Sequence, residues 1–64
     1  MMRCTMKALR VNKGLTQSEM AKALGVSKKT VGAWENGKSM PSIDKVEPIC
    51  SILGVKYDDI NWNL

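Results

Sequence analysis

Apolar residues recur at helical spacing along this 64-residue chain, and residues that start or end helices separate the recurrences. Between positions 16 and 25, three apolar residues fall on one helical face: Met20, Ala21 and Leu24. Thr16 precedes them as an N-cap, and Glu19 completes a capping box. Gly25 can adopt the left-handed conformation that ends a helix. The pattern predicts a helix that starts at Gln17 and stops near Leu24.

A second short helix is predicted directly after the first, because the turn between them is too tight to be a flexible linker. Ser27 is its N-cap, and Val31 and Trp34, at i and i+3, form its buried face. Asn36-Gly37 closes it. Two short helices joined by a tight turn, here at about positions 17–36, are the arrangement with which many proteins present the end of a helix to DNA.

The outer segments predict further helices. Met2, Met6 and Leu9 lie roughly on one face, which predicts a first helix from about Arg3 to Asn12 that ends before Gly14. After Pro41, Ser42 is an N-cap for another helix that ends at Gly54. Five residues of this helix are expected to face inward: Ile43, Val46, Ile49, Cys50 and Leu53.

Pro48 complicates the fourth helix, because it cannot donate a hydrogen bond to the carbonyl of Asp44. Either the helix is kinked or loosely formed in its first turn and a half, or its regular part starts near Pro48. Beyond Val55, the segment from Tyr57 to Ile60 suits a last short helical turn. The chain is therefore predicted to be one compact all-α domain of five helices, spanning residues 1–64.

The segment from 16 to 38, TQSEMAKALGVSKKTVGAWENGK, resembles the helix-turn-helix of the lambdoid phage repressor and Cro family. The shared features are a Thr-Gln-x-x-Met-Ala start, a glycine at the turn, an apolar residue followed by serine, and a Trp-Glu-Asn-Gly-Lys exit. Weaker similarity upstream and downstream extends the resemblance over most of the chain. It implies a repressor-like fold and a DNA-binding transcriptional regulator, of a size like Cro.

The charge distribution agrees with a nucleic-acid partner. The net charge is +4, but residues 1–40 carry eight basic and two acidic side chains, whereas residues 41–64 carry two basic and four acidic ones. The basic part is the part with the helix-turn-helix, as expected for a surface that faces phosphates. A charge asymmetry of this kind also serves solubility alone, and both interpretations stay open.

Composition argues against catalysis and metal binding. The chain has no histidine, no glycine-rich phosphate loop and no cluster of acids, so neither an enzyme nor a cofactor is expected. Cys4 and Cys50 do not have zinc-finger spacing, and Cys50 lies on an apolar helix face, which favours free thiols over a disulfide. No signal peptide or membrane span is present, so we expect a cytoplasmic protein. A core this small is not expected to enclose a pocket, so no small-molecule ligand is expected.

The helical wheel predicts which side chains of the second motif helix reach the DNA. With Val31 and Trp34 buried, the outward residues that can contact bases in the major groove are Lys28, Lys29, Thr30, Gly32 and Ala33. The lysines can donate to guanine, and the Ala33 methyl can touch a thymine methyl. Gly32 permits close approach to the duplex or is simply tolerated at an exposed site.

Phosphate contacts are predicted around this helix. Gln17 lies at the first position of its helix, where free amides attract a phosphate, and the resemblance implies the same role. The full predicted set is Gln17, Ser27, Asn36, Gly37, Lys38 and Arg10. Arg10 and Glu35 also match a pair that bridges two helices in the family, which implies that Arg10 mainly positions the phosphate-binding residues.

The predicted partner is double-stranded DNA with a pseudo-palindromic operator, bound by a homodimer, as the resemblance implies. The tail alternates apolar and polar residues, and the resemblance places it near the two-fold axis, so Ile60, Trp62 and Leu64 are the predicted dimer interface. Alternatively, Trp62 folds back on the first helix over Met2 and Met6.

Two functions from different classes remain. The first is a sequence-specific DNA-binding regulator, a repressor, that inserts the helix starting at Ser27 into the major groove. The second is a protein-interaction module, such as an antitoxin or adaptor, that kept the helix-turn-helix fold. The exposed lysines and Gln17 favour the first.

Overall fold

A computed structural model describes residues 4–62 as four α-helices, one 3₁₀ turn and two short strands. The helices are α1 (Met6–Asn12), α2 (Gln17–Leu24), α3 (Lys28–Glu35) and α4 (Ile43–Leu53). The 3₁₀ turn covers Tyr57–Asp59, and the strands are β1 (Cys4–Thr5) and β2 (Ile60–Asn61). The strands pair in parallel, with Cys4 opposite Ile60.

The capping residues set the ends of α2 and α3 as predicted. The Thr16 hydroxyl accepts the Glu19 amide at 3.0 Å, and the Glu19 carboxylate accepts the Thr16 amide at 2.9 Å. Gly25, at φ 71°, ends α2 in the left-handed region. The Ser27 hydroxyl accepts the Thr30 amide at 3.1 Å and starts α3. The predicted bounds of α2 are confirmed, because all these signals act within a few residues.

The core is one small apolar cluster to which the four helices and β2 all contribute. Eight apolar residues are buried in it: Met6, Met20, Ala21, Leu24, Val31, Ile49, Leu53 and Ile60. Trp34 is half-buried and packs against this cluster, in agreement with its predicted place on the inner face of α3. The predicted inner faces of α2 and α3 are therefore confirmed.

The first helix starts later than predicted. It begins at Met6, with Thr5 as its N-cap, and not near Arg3; Met2 and Arg3 lie outside the described residues. The Thr5 hydroxyl accepts the Ala8 amide at 3.1 Å. Cys4 and Thr5 are extended because their partner strand comes from the other end of the sequence, a pairing that local patterns do not reveal.

The sequence predicts five helices, whereas residues 4–62 contain four α-helices. The all-α helix-turn-helix class is confirmed, but the predicted fifth helix is the single 3₁₀ turn Tyr57–Asp59. The chain then extends into β2, so the turn has no room to continue. Lys56 precedes this turn, and its side chain has no acceptor with which to cap the free amides. Instead, the Asp59 carboxylate accepts the Lys56 amide at 3.0 Å.

Pro48 lies inside α4, which spans Ile43–Leu53 and ends at Gly54 with φ 69°. The regular helix therefore begins well before Pro48, and the alternative of a start near Pro48 is wrong. Ile49 and Leu53 are buried as predicted, but Ile43 is 92% exposed, so its predicted inward position is wrong. Ile43 is the first residue of α4, on the side of its first turn that no other segment within residues 4–62 covers.

Within residues 4–62, no helix has the length and apolar character needed to cross a bilayer.

Candidate nucleic-acid interface

One shallow depression on the outer face of α3 gathers seven of the residues predicted to contact DNA. It is lined by Gln17, Lys28, Lys29, Gly32, Ala33, Asn36 and Lys38. Gln17 comes from the first position of α2, and the other six come from α3 and its exit. Val31, on the opposite side of α3, is fully buried, so the helix has one inner and one outer face as the wheel predicts.

The first turn of α3 presents two exposed lysines beside a pair of linked hydroxyls. Lys28 and Lys29 are both exposed. The hydroxyl oxygens of Ser27 and Thr30 lie 2.8 Å apart and share a hydrogen bond. Since the first amides of a helix have no carbonyl partner within it, this end carries a partial positive charge that adds to the two lysines.

Gly32 gives the Gln17 side chain a place to lie. A Cβ added at Gly32 would meet Gln17 Nε2 at 3.8 Å and Oε1 at 3.9 Å, which is ordinary van der Waals contact. The backbone of Gly32 is helical and does not require glycine. The Gln17 amide therefore lies over Gly32, where α3 has no side chain. The sequence pattern does not predict this contact, for which a glycine inside α3 is the one hint.

A buried network of polar side chains lies beneath the depression and fixes the positions of the helices that form it. Arg10 Nε and Nη2 donate to the two carboxylate oxygens of Glu35 at 2.7 and 3.2 Å, and Arg10 Nη1 donates to the Leu15 carbonyl at 2.7 Å. Gln17 Nε2 donates to Glu35 Oε1 at 2.9 Å. Glu35 therefore binds side chains from α1 and α2 at once. The bidentate pair and its further bonds fix the angle between these helices and α3.

Arg10 does not line the depression on α3, although with Gln17 it lines the neighbouring cleft at the start of α2. Its side chain is only 9% exposed, and that of Glu35 is 1% exposed. Burying the Glu35 carboxylate requires a cationic partner, and Arg10 meets that requirement from below the depression. Its burial leaves little of the Arg10 side chain available to a phosphate, and its bonds to Glu35 and Leu15 agree with the predicted positioning role, which stays a prediction.

A second cleft adjoins the depression at the start of α2. Gln17 and Lys28 line both concavities, so they lie on the ridge between them. Thr16 accepts the amides of Glu19 and Met20. The earlier amides of α2 lie at positions that have no helical partner, which is the arrangement that attracts an anion.

The exit of α3 brings Asn36 and Lys38 into the lining of the depression, with Gly37 between them in the turn. The Lys38 amide donates to the Ala33 carbonyl at 2.9 Å, and Gly37 has φ 73°. This left-handed turn satisfies the last carbonyls of the helix and reverses the chain. All three residues are exposed, so the depression has a cation at each end.

The predicted dimer residues are not on one surface. Ile60 is 1% exposed and pairs with Cys4, so it belongs to the core and is unavailable for an interface. Trp62 is half-buried; its ring stacks on Tyr57 with centroids 5.6 Å apart, and its Nε1 donates to the Tyr57 carbonyl at 3.3 Å. It also lines a crevice with Met6, in partial agreement with the fold-back alternative. Leu64 lies outside the described residues.

Both cysteines are free thiols, exposed at Cys4 and half-buried at Cys50. Burial, together with the nearby carboxylates of Asp59 and Glu47, raises the pKa of Cys50. Its thiol is therefore protonated at neutral pH and packs as a small apolar group. Among residues 4–62, no three cysteine or acidic side chains are close enough to hold a metal ion.

Comparison with known proteins gives a consistent result. The family model described as Helix-turn-helix matches residues 6–60. An uncharacterised HTH-type transcriptional regulator of Methanocaldococcus jannaschii is 42% identical over 59 residues, which cover 92% of this chain and 89% of that protein. The cryptic phage CTXphi transcriptional repressor RstR of Vibrio cholerae is 36% identical, over 81% of this chain and 47% of the repressor.

A solved structure shows the same fold. The clp gene regulator ClgR of Corynebacterium glutamicum matches with a TM-score of 0.78 and 30% identity, over 84% of this chain and 57% of that chain. This chain thus spans about half the length of both ClgR and the phage repressor. With the two-helix motif and the match over residues 6–60, these similarities show that the chain belongs to the Cro/C1-type helix-turn-helix family.

Proposed function

We propose that this chain is a sequence-specific, double-stranded DNA-binding regulator of transcription that inserts the N-terminal turn of α3 into the major groove. The observation that carries the proposal is the depression on α3, which gathers seven predicted DNA-contacting residues from two helices of the motif. The family relationship supports the same conclusion.

Base reading is assigned to the outer face of α3. Lys28 and Lys29 donate to guanine O6 and N7, and the Ala33 methyl contacts a thymine methyl. Thr30 reaches a base edge or a phosphate through the hydroxyl that it shares with Ser27. Gly32 allows the duplex to approach closely. Lysine is a flexible point charge, so this set specifies bases less sharply than arginine or glutamine would.

Phosphates are held at both ends of the depression. At one end, the start of α2 offers its free amides and the second N–H of Gln17 Nε2, whose first N–H is bound to Glu35. Ser27 lies beside this end. At the other end, Asn36, Gly37 and Lys38 approach the backbone of the opposite strand. These contacts set the orientation of α3 but carry no sequence information.

The regulator acts as a homodimer on a pseudo-palindromic operator, in the cytoplasm, and represses transcription. One α3 covers only a few base pairs, so two copies on half-sites about one helical turn apart are needed for a useful recognition length. A compact dimer placed across a promoter excludes other proteins by its bulk, which requires no additional surface. Repression is therefore the simplest outcome of binding.

The salt dependence of DNA affinity tests the proposal. If the dimer neutralises 6 to 10 phosphates, log affinity should fall with log salt at a slope of about −5 to −9. Fluorescence anisotropy on a site selected from random duplexes measures this slope. A slope near zero, or no binding to any duplex at about 50 mM salt, contradicts the proposal.

The alternative, a protein-interaction module such as an antitoxin or adaptor, predicts a different result. Such a module would bind random and selected duplexes equally weakly, and its affinity for a protein partner would survive removal of Lys28 and Lys29. The lysine cluster on α3 has no role in that case. Comparing the selected duplex with a scrambled one therefore separates the two functions.

A further inference from the structure

Most of the large apolar side chains that the described part of the chain leaves exposed lie on one face. Of the four that stand exposed within residues 4–62, Met40, Ile43 and Tyr57 line a single groove, whereas Val11 is elsewhere. Their exposed fractions are 59%, 92% and 58%. Contiguous apolar patches on small proteins generally mark an interaction site, whereas single exposed apolar residues do not.

The groove is preformed. It has a volume of about 570 Å³ and lies between the start of α4 and the 3₁₀ turn. Val46, Cys50 and Trp62 are half-buried and line its interior. The Trp62 ring is fixed by its stacking on Tyr57 and by its hydrogen bond to the Tyr57 carbonyl. A partner would therefore meet rigid aromatic walls, which lose little conformational entropy on binding.

We propose that this groove binds a second copy of the chain, with Ile43 of each protomer seated in the groove of the other. The patch contains both a protruding apolar side chain, Ile43, and an apolar groove beside it. In a two-fold interface, a residue of one copy that contacts a given surface of the other is matched by the reverse contact. A projecting side chain next to a groove can therefore fill the groove of the other copy in both directions. One symmetric contact then covers both features in both copies.

Charge favours the same arrangement. Each copy carries a net charge of +4, concentrated in residues 1–40, so most approaches of two copies are repulsive. Among residues 4–62, no lysine or arginine lines the groove, and Glu47 is the one charged residue in its lining. It is formed chiefly by residues 40–62, in the part of the chain that carries the acidic excess. Contact through this face keeps the two basic parts of the dimer apart.

The contact also leaves the DNA-binding surface free. No residue that lines the groove lines the depression on α3. Within residues 4–62, the groove is lined by only eight residues of each copy, whereas a standard interface takes roughly 20–30 residues a side. An interface of that size is at the weak end of specific complexes. The dimer should therefore depend on concentration and be strengthened by a palindromic site, an expectation that rests on the proposed DNA-binding function.

Assembly without DNA is the first test. Sedimentation equilibrium of the full chain up to about 1 mM should show a monomer–dimer equilibrium, since weak interfaces dissociate in this range. Ile43→Gln should weaken dimerisation by at least about tenfold, the loss expected when a buried apolar side chain becomes polar. Val11→Gln, a matched change at an exposed apolar residue on α1, should leave the dimer unchanged.

Contacts between protomers are the second test. In a mixture of isotope-labelled and unlabelled chains, filtered NOE spectra should connect the Ile43 methyl groups of one copy to the Tyr57 and Trp62 rings of the other. The absence of these cross-peaks in a sample that sediments as a dimer would show that another face holds the copies together, and would overturn the proposal.

DNA separates this proposal from the proposed function. Ile43→Gln should keep its affinity for a single half-site and lose the cooperativity with which the wild type fills two half-sites. A wild type that binds a half-site but remains monomeric at about 1 mM and fills two half-sites independently contradicts the groove proposal alone. A chain that dimerises through Ile43 but binds no duplex contradicts the DNA-binding function alone.

Discussion

The depression on α3 and the apolar groove near α4 are both shallow surfaces of one small domain, yet they are supported in different ways. Behind the depression lies the buried Arg10–Glu35 ion pair, which joins α1 to α3 and also hydrogen-bonds to the Leu15 carbonyl and the Gln17 side chain. Behind the groove lie half-buried apolar side chains and one aromatic stack.

Because of this difference, some substitutions at these surfaces change binding alone, whereas others change both binding and the stability of the fold. The exposed lysines and Ile43 contribute little to folding, so substituting them tests binding alone. Glu35 contributes both to folding and to the binding surface, because it joins α3 to α1 through Arg10 and also orients Gln17. At the depression, substituting the buried Glu35 should therefore disturb the structure more than substituting the exposed lysines.

The largest effect is expected from Glu35→Ala. It leaves the Arg10 guanidinium buried without its carboxylate, which costs about 3–5 kcal/mol for pairs of this kind. A 64-residue domain has a total stability of roughly 3–10 kcal/mol, so about a third of it or more is lost. Urea unfolding followed by circular dichroism measures the change.

Glu47→Ala, an exposed acid on α4, is the matched control and should change stability by less than about 0.5 kcal/mol. Equal small losses for the two variants would mean that the buried pair does not support the depression. In Arg10→Met/Glu35→Leu, both charges are removed together, so stability should largely return while the orientation of Gln17 is lost.

Next in size are the lysines at the front of the depression. Lys28→Ala and Lys29→Ala should each cost roughly 1–3 kcal/mol on the cognate site and relax the preference at one base pair. Lys38→Ala should weaken all duplexes alike, because its contact is with phosphate. Anisotropy titrations on cognate and scrambled duplexes measure both. Equal losses on the two duplexes for all three variants would show that the lysines supply charge only.

A smaller effect is expected at the capping box of α2. Thr16→Ala removes the acceptor for the Glu19 amide and should cost about 1 kcal/mol of unfolding free energy. Thr16→Ser keeps the hydroxyl and is the control. No difference between the two variants in urea unfolding would show that the cap contributes nothing to stability.

The same box predicts a pH dependence. Hydrogen bonds from the Thr16 backbone and then from its side chain lower the pKa of Glu19 below its ordinary 4.5. A carboxyl with a lower pKa in the folded state stabilises the fold above its unfolded pKa, and this contribution is lost as the pH falls through the folded value. Stability should therefore decline on acidification below about pH 4.5, and less steeply in Glu19→Gln.

The smallest change, and one of opposite sign, is expected from Gly32→Ala. The new methyl group makes only ordinary contact with Gln17, and alanine favours a helix over glycine by up to about 1 kcal/mol. Thermal unfolding should show a stabilised domain. If DNA affinity falls while stability rises, Gly32 is needed for close approach to the duplex; unchanged affinity would mean that it is merely tolerated there.

The helix-turn-helix was predictable because its signals are local. Thr16 with Glu19, Gly25, and Ser27 each define a helix end through contacts within a few residues. The outer face of α3 followed from helical periodicity once Val31 and Trp34 were assigned to the core. The sequence by itself therefore determined the two motif helices and which lysines face outward.

Other features depended on where distant segments meet, and only the tertiary structure decided them. Cys4 and Thr5 are strand residues because Ile60 and Asn61 pair with them, and Ile60 is buried for the same reason. Ile43 follows the apolar spacing of α4, yet it is 92% exposed because no other described segment covers its side of the first turn, whereas Lys45 in the same turn reaches the Leu24 carbonyl of α2. Periodicity shows which face a residue occupies, whereas burial requires another segment to cover it, and that depends on the whole fold.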